Sequence, residues 1–144
     1  MATVRDLGGL LFLVSKAHHK KARQTFDEIG LFRGQPPVLF EVAAHEGMTQ
    51  NELAARLEVT PATMTNLLRR IEEAGLISRC RDEQDQRSSR VHLTDLGREK
   101  LAQSESLLDR MDETAFAGFS ESEQDTFYRF LERVHTNLVN SLED

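Results

Sequence analysis

Two helix-start signals, eleven residues apart, constrain this chain more than any other feature. In TQNELAARLEVTPATMTNLLRRIEEAG, Thr49 and Glu52 are spaced to satisfy each other's orphan backbone donors as a capping box. Thr60 followed by Pro61 then marks a second start, an N-cap residue before a first-turn proline whose φ is already set. A helix that begins after Thr49 can run only to about Leu57 before EVTP ends it. The stretch therefore predicts a short helix, a tight turn and a second helix. In that second helix Met64, Leu67, Leu68 and Ile71 share one face, and Ala62, Thr65, Asn66 and Arg69 share the opposite one. The outward face is small and polar at its N-terminal end and basic further along.

Apolar spacing extends this reading in both directions. Leu7, Leu10, Leu11, Val14, Ala17, Ala22, Phe26 and Ile29 recur mostly three or four apart, with Lys16, Lys20, Lys21 and Arg23 off the stripe, which predicts a long amphipathic helix ending near Gly30. GQPPVLFEVAAHEG places two prolines at the start of another apolar helix that stops at Gly47. After Gly75, LISR reads as a strand and RVHLT as its partner, with residues 82 to 90 as the loop of a long hairpin. Thr94 and Asp95 cap a further helix with the stripe Leu96, Leu101, Ser104, Leu107, Leu108, Met111 and Ala115. Ser120 and Glu123 form another capping box, before a last helix with Phe127, Phe130, Leu131, Val134, Leu138 and Leu142 on one side. The expected fold class is mainly α with a small two-stranded β-hairpin. The terminal helices carry apolar stripes with little core of their own, so a second copy of the chain is the economical partner.

Composition bounds the rest. A length of 144 residues suits one compact folding unit, and the absence of Trp with 29% charged residues favours amphipathic helices over a sandwich or barrel. A single cysteine, Cys80, cannot form an intramolecular disulfide, and no segment reads as a signal peptide or membrane span, so the expected location is the cytoplasm. The net charge of −6 argues at first against a polyanionic partner. Its distribution reverses that inference. Residues 47 to 98 hold 8 Lys/Arg and 8 Asp/Glu, whereas residues 99 to 144 hold 4 and 11, so the acidic excess lies in the C-terminal third.

A helix with a small polar N-terminal face suits a major groove about 12 Å wide, where its first turns meet base edges. Thr60 and Thr63 offer hydroxyls, Asn66 can pair bidentately with adenine, and Arg69 or Arg70 can reach phosphate or guanine. The hairpin would lie beside the duplex with Arg87 directed at the minor groove. Asp85 is expected to hold the Arg87 guanidinium, with Asp82 and Glu83 on a solvated flank.

These residues resemble the winged helix-turn-helix of the MarR family of bacterial transcription regulators. The resemblance is carried by residues 48 to 98, including the Asp-x-Arg wing (Asp85, Arg87) and the exit Val91, Leu93, Thr94 and Gly97, and the helical order extends it over nearly the whole chain. It implies a winged helix-turn-helix at 34–98, flanked by dimerisation helices at 1–33 and 99–144. It implies a homodimer on double-stranded DNA with a pseudo-palindromic operator, in which Thr60, Pro61, Ala62, Thr63, Thr65, Asn66, Arg69 and Arg70 serve the major groove. Asp85, Arg87, Ser88 and Arg90 would serve the wing and minor groove. Family wings often carry a proline and further basic residues where this chain has Glu83 and Gln86. The resemblance also implies a repressor released by a small, aromatic or anionic effector, for which Lys16, His19 and Lys20 are the candidate crevice residues.

Other readings attach to fewer residues. Cys80 stands between Arg79 and Arg81, which suggests a thiol sensor, although a single thiol in a strand more often packs inertly. The five histidines show no metal-ligand spacing, and no cofactor motif, nucleophile elbow or phosphate loop suggests an enzyme. The main rival is a winged helix that has become a protein-interaction module.

Overall fold

The computed structural model describes residues 1–143. Its elements are α1 (Val4–Glu28), α2 (Gln35–Ala44), α3 (Gln50–Arg56), α4 (Pro61–Glu73), β1 (Ile77–Arg81), β2 (Ser89–Leu93), α5 (Asp95–Ala115) and α6 (Glu121–Leu142). The fold is six helices with one antiparallel two-stranded hairpin, as the apolar spacing predicts. Among the described residues no helix is long and apolar enough to cross a membrane.

Capping chemistry sets most of the boundaries. Thr49 with Glu52 and Ser120 with Glu123 form both halves of their capping boxes. A third box, Thr3 with Asp6, starts α1 at Val4, ahead of the first residue of its apolar stripe. Three helix ends share one device. After α1 the Leu31 N–H donates to Phe26 O, and after α4 the Leu76 N–H donates to Ile71 O, each across a glycine with positive φ, Gly30 and Gly75. The α3 end uses the same bond, Val59 N–H to Ala54 O, but the left-handed position is Glu58 at φ 53°. A side chain there costs about 1–2 kcal/mol. α2 ends at Ala44, earlier than Gly47, because Gly47 is needed elsewhere: its N–H donates to Val91 O on β2.

The chain forms two compact units, residues 1–109 and 110–144. In the first, Leu31, Val38, Leu39, Val42, Leu53, Met64, Leu68, Ile71, Ile77 and Val91 build one continuous core. Phe26 and Ile29 from the end of α1 and Leu101 from α5 pack against it. Lys100 anchors the α5 start by donating to Ile29 O at 2.7 Å. The first half of α1 contributes nothing to this core: Val4, Leu7, Leu10, Leu11, Phe12, Leu13 and Val14 are exposed. In the second unit Phe116, Phe119 and Phe127 cluster with ring centroids 6.0–6.3 Å apart. The α6 stripe of Phe127, Phe130, Leu131, Val134, Leu138 and Leu142 is exposed.

The hairpin is joined to the helices through its exit. Thr94 N–H donates to Leu76 O, its hydroxyl donates to Gly75 O and accepts the Gly97 N–H, so one residue closes β2 and caps α5. Gly97 sits directly against the Leu76 carbonyl, where a Cβ would collide with backbone that cannot move aside. Gly97→Ala is accordingly expected to destabilise the protein by about 3 kcal/mol, as for an overpacked core site, and a denaturant titration against the parent chain checks it.

Candidate nucleic-acid interface

The buried stripe of α4 decides which of its side chains face outward. Met64, Leu68 and Ile71 are fully buried, so Pro61, Ala62, Thr63, Thr65, Asn66, Arg69 and Arg70 are all exposed, in agreement with the face read from spacing. Their polar groups are not equally available. Thr60 Oγ1 accepts the Thr63 N–H at 3.1 Å and donates to Thr63 Oγ1 at 2.9 Å, so its proton is committed to the cap. Thr65 Oγ1 donates to Pro61 O and accepts from Gln50 Nε2 at 2.7 Å. Arg69 pairs with Glu73 at 3.0 Å one turn along the helix. Thr63 keeps its hydroxyl proton. Asn66 and Arg70 have no side-chain partner among the described residues.

Two residues of this surface have no signature in local spacing. Gln50, the first residue of α3, bridges Thr65 on α4 to Arg79 on β1, whose Nη1 lies 3.4 Å from Gln50 Oε1. Arg79 also grips Glu72 with both Nε and Nη2, at 3.1 and 3.2 Å. The chain Thr65, Gln50, Arg79, Glu72 thus ties both ends of α4 to the elements around it. Its members lie up to 29 residues apart, so only the packed fold could reveal it.

The hairpin pairs Ile77 with Leu93, Arg79 with Val91 and Arg81 with Ser89. Residues 47–49 run beside β2 as a third edge: Val91 N–H donates to Met48 O at 2.9 Å, and Thr49 bridges to Arg90. At the tip the Asp82 N–H donates to Ser88 O and the Ser88 N–H donates to Asp85 O, both at 2.9 Å. Arg87 is exposed, and its guanidinium has no partner among the described residues.

Four expectations for this hairpin need correction. Asp85 does not hold the Arg87 guanidinium; its Oδ1 accepts the Arg87 backbone N–H at 3.0 Å, which shapes the turn and leaves the side chain free. Asp82 is not on a solvated flank. Its side chain is 11% exposed, Oδ1 accepts the Gln84 N–H and Oδ2 accepts from Arg90 at 3.1 Å. The Gln84 N–H, with Arg90 adding to it, holds the Asp82 carboxyl below its ordinary range. Arg90, placed among the DNA-facing wing residues, turns toward the protein, with Nη1 donating to Gly47 O at 2.8 Å as Nη2 meets Asp82. Cys80 is exposed rather than packed, opposite Arg90 in the ladder. Ser88 is half-buried at the loop closure.

Lys16, His19 and Lys20 do line a common depression, together with Phe12, Leu13 and Arg23. Every wall comes from α1, so the feature is an open groove along one helix, with the Lys16 ammonium 5.5 Å from the centre of the Phe12 ring. Among the described residues no group of three or more His, Cys, Asp or Glu side chains comes together in a form that could hold a metal ion.

A short helix, a tight turn, a second helix with a polar outer face and a hairpin with an exposed arginine define a winged helix-turn-helix. Comparison with known proteins places it more closely. The family model described as the MarR family matches residues 29–88. The uncharacterized HTH-type transcriptional regulator YwoH of Bacillus subtilis is 30% identical over 108 residues, covering 75% of this chain and 78% of that protein. The HTH-type transcriptional repressor Rv2887 of Mycobacterium tuberculosis is 28% identical over 134 residues, 93% of this chain and 96% of that protein. Among solved structures, the Staphylococcus aureus MepR–DNA complex superposes with a TM-score of 0.76 at 29% identity, covering 96% of this chain and 99% of that chain. The chain belongs to the MarR family of transcriptional regulators.

The Glu72–Arg79 grip makes a pH-dependent contribution. Hydrogen bonds from the Arg79 guanidinium hold the Glu72 carboxyl below its ordinary 4.5. A lowered carboxylate stabilises the fold above pH 4.5, and that contribution is lost as pH falls through the lowered value. Glu72→Gln should therefore lower Tm at neutral pH and leave it unchanged once the acid is strong enough to protonate Glu72 in both states. Thermal melts from pH 7 downward would show the two curves converging; parallel curves would remove the ion pair as the cause.

Proposed function

We propose that this protein is a dimeric, sequence-specific regulator of transcription that binds double-stranded DNA, acting as a repressor in the cytoplasm. The observation that carries the reading is the outer face of α4, where Thr63, Asn66 and Arg70 keep free polar groups over a fully buried apolar stripe, beside a wing whose tip presents the unpartnered Arg87. Helix α4 would enter the major groove, with Asn66 reading a base edge and Arg70 on phosphate or base. Arg87 would enter the minor groove. Committed hydroxyls make Thr60 and Thr65 positioning residues for the helix more than base readers. MepR has been captured with DNA and Rv2887 is named a repressor, and both are similar to this chain over nearly its whole length.

Residues 1–33 and 99–144 are proposed as the dimerisation region and 34–98 as the DNA-reading region. The exposed apolar residues of α1 and, separately, of α6 are faces that a second copy would cover. Two α4 helices related by a two-fold axis would then meet a pseudo-palindromic operator, half-sites about 10 bp apart. A small anionic or aromatic effector held by Lys16, His19 and Lys20 would need a second wall beyond α1, which dimerisation could supply. Release of the operator follows if the effector prefers a dimer whose α4 helices are wrongly spaced.

Selection of duplexes from a random pool at moderate salt should enrich a pseudo-palindrome; enrichment of nothing would favour a protein-interaction role. On the selected duplex Arg87→Ala should weaken binding by about 1–3 kcal/mol and reduce preference for A·T pairs under the wing. Asn66→Ala should relax preference at one base position per half-site, and a uniform loss over all sequences would make it a positioning residue instead. Sedimentation at micromolar concentration should give a dimer.

A further inference from the structure

The Arg90 guanidinium lies between the α2–α3 turn and the start of the wing loop; the other side-chain links to the hairpin, among them Gln50 to Arg79 and Glu46 to the Leu93 N–H, reach the strands and not the loop. It stands on the descending limb of the hairpin, opposite Cys80. One nitrogen donates to the Gly47 carbonyl, in the turn between α2 and α3, and the other to the Asp82 carboxylate just past the end of the ascending limb. The geometry points to Arg90 and Asp82 as a strut that fixes the direction of the wing relative to the helix-turn-helix, so that Arg87 is aimed by residues that do not themselves touch DNA.

Each link has a physical reason. Asp82 is nearly buried and uses its two oxygens for different tasks, one on the Gln84 N–H to shape the tip and the other on Arg90 to tie that tip down. Gly47 is itself held to β2, through its N–H on Val91 O, so the turn, the strand and the wing base form one closed set of bonds. A planar guanidinium can meet a carbonyl and a carboxylate at once, whereas an ammonium is a single point charge on a flexible stem. Among the described residues, the loop 83–88 makes no side-chain bond to the helices. Without the strut its tip would sample many directions, and placing Arg87 would cost that freedom on every binding event.

The role in recognition rests on the DNA-binding reading above, but the strut can be tested with and without DNA. Asp82→Asn keeps an oxygen for the Gln84 N–H and presents an amide to Arg90, and Arg90→Lys keeps the positive charge. In the DNA-free protein both variants should lower backbone 15N order parameters over residues 83–88 and leave α4 as in the parent chain; parent-like values in the wing overturn the strut whatever the protein binds. On the selected duplex both should weaken binding by about tenfold, the lower part of the range for losing one groove contact. The sign is diagnostic. Were Asp82 only an acid near phosphate, its neutralisation would tighten binding, and were Arg90 only a charge for phosphate, lysine would preserve affinity; either result overturns the proposal. In the double variant Asp82→Asn with Arg87→Ala, binding should be no weaker than with Arg87→Ala alone, because the strut acts through Arg87. Additive losses would overturn that role. An Arg87→Ala variant that binds like the parent would instead sink the minor-groove contact itself, leaving the strut to be decided by the relaxation data.

Discussion

Everything on the exposed face of α4 depends on the burial of its other face. Met64, Leu68 and Ile71 reach the core with no remaining exposure, which fixes the rotation of the helix about its own axis. A rotation of one residue, about 100°, would carry Asn66 and Arg70 off the outward face and bring apolar side chains into water. Burial of one such side chain is worth about 1.5–3 kcal/mol, so three of them outweigh any local preference for another orientation. The polar surface is thus a by-product of the apolar one, held by an interaction that has no specificity of its own.

On that fixed helix, hydrogen bonds sort the polar side chains into those that maintain the surface and those left over to act. Thr60 spends its hydroxyl on the cap and Thr65 spends its own on Pro61 and Gln50, while Thr63, Asn66 and Arg70 retain free groups. Arginines divide in the same way. Arg69, Arg79 and Arg90 are bound to Glu73, Glu72 and Asp82, and the wing tip keeps the unbound Arg87. Formal charge therefore overstates the basic surface near α4 and the hairpin. The acids among residues 47–98 do more than neutralise; Glu72 and Asp82 hold guanidiniums in set orientations, and Glu52 closes the α3 cap.

The sequence was most legible where the chemistry is local. Capping boxes at Thr49 and Ser120, the Thr60–Pro61 start and the turn at Gly75 act within five residues, so spacing alone placed them. The Thr3–Asp6 box is equally local, but it precedes the apolar stripe that marks α1 in the sequence. The wing was read less well because its partners are remote. By its place in the wing Arg90 reads as a DNA-facing residue, and nothing in DEQDQRSSRVHLT reveals that a carbonyl 43 residues earlier receives it. Asp85 was correctly placed beside Arg87 in the turn, but an Asx-type bond to the backbone N–H, rather than an ion pair, is what a spacing of two residues favours.

By itself, then, the sequence determined the number and type of elements, their caps, and which face of each helix is apolar, since these follow from side-chain periodicity and from bonds between near neighbours. The spacing and matching wing residues were also enough to suggest the family. Only the tertiary structure decided that Thr65 also meets Gln50 and that Arg90 also meets the Gly47 carbonyl, because those partners are brought together across 15 and 43 residues of chain. It also decided that Gly97 must lack a side chain, a requirement set by the Leu76 carbonyl on the far side of the hairpin. Periodicity carries no information about such distances; closure of the chain around a common core creates them.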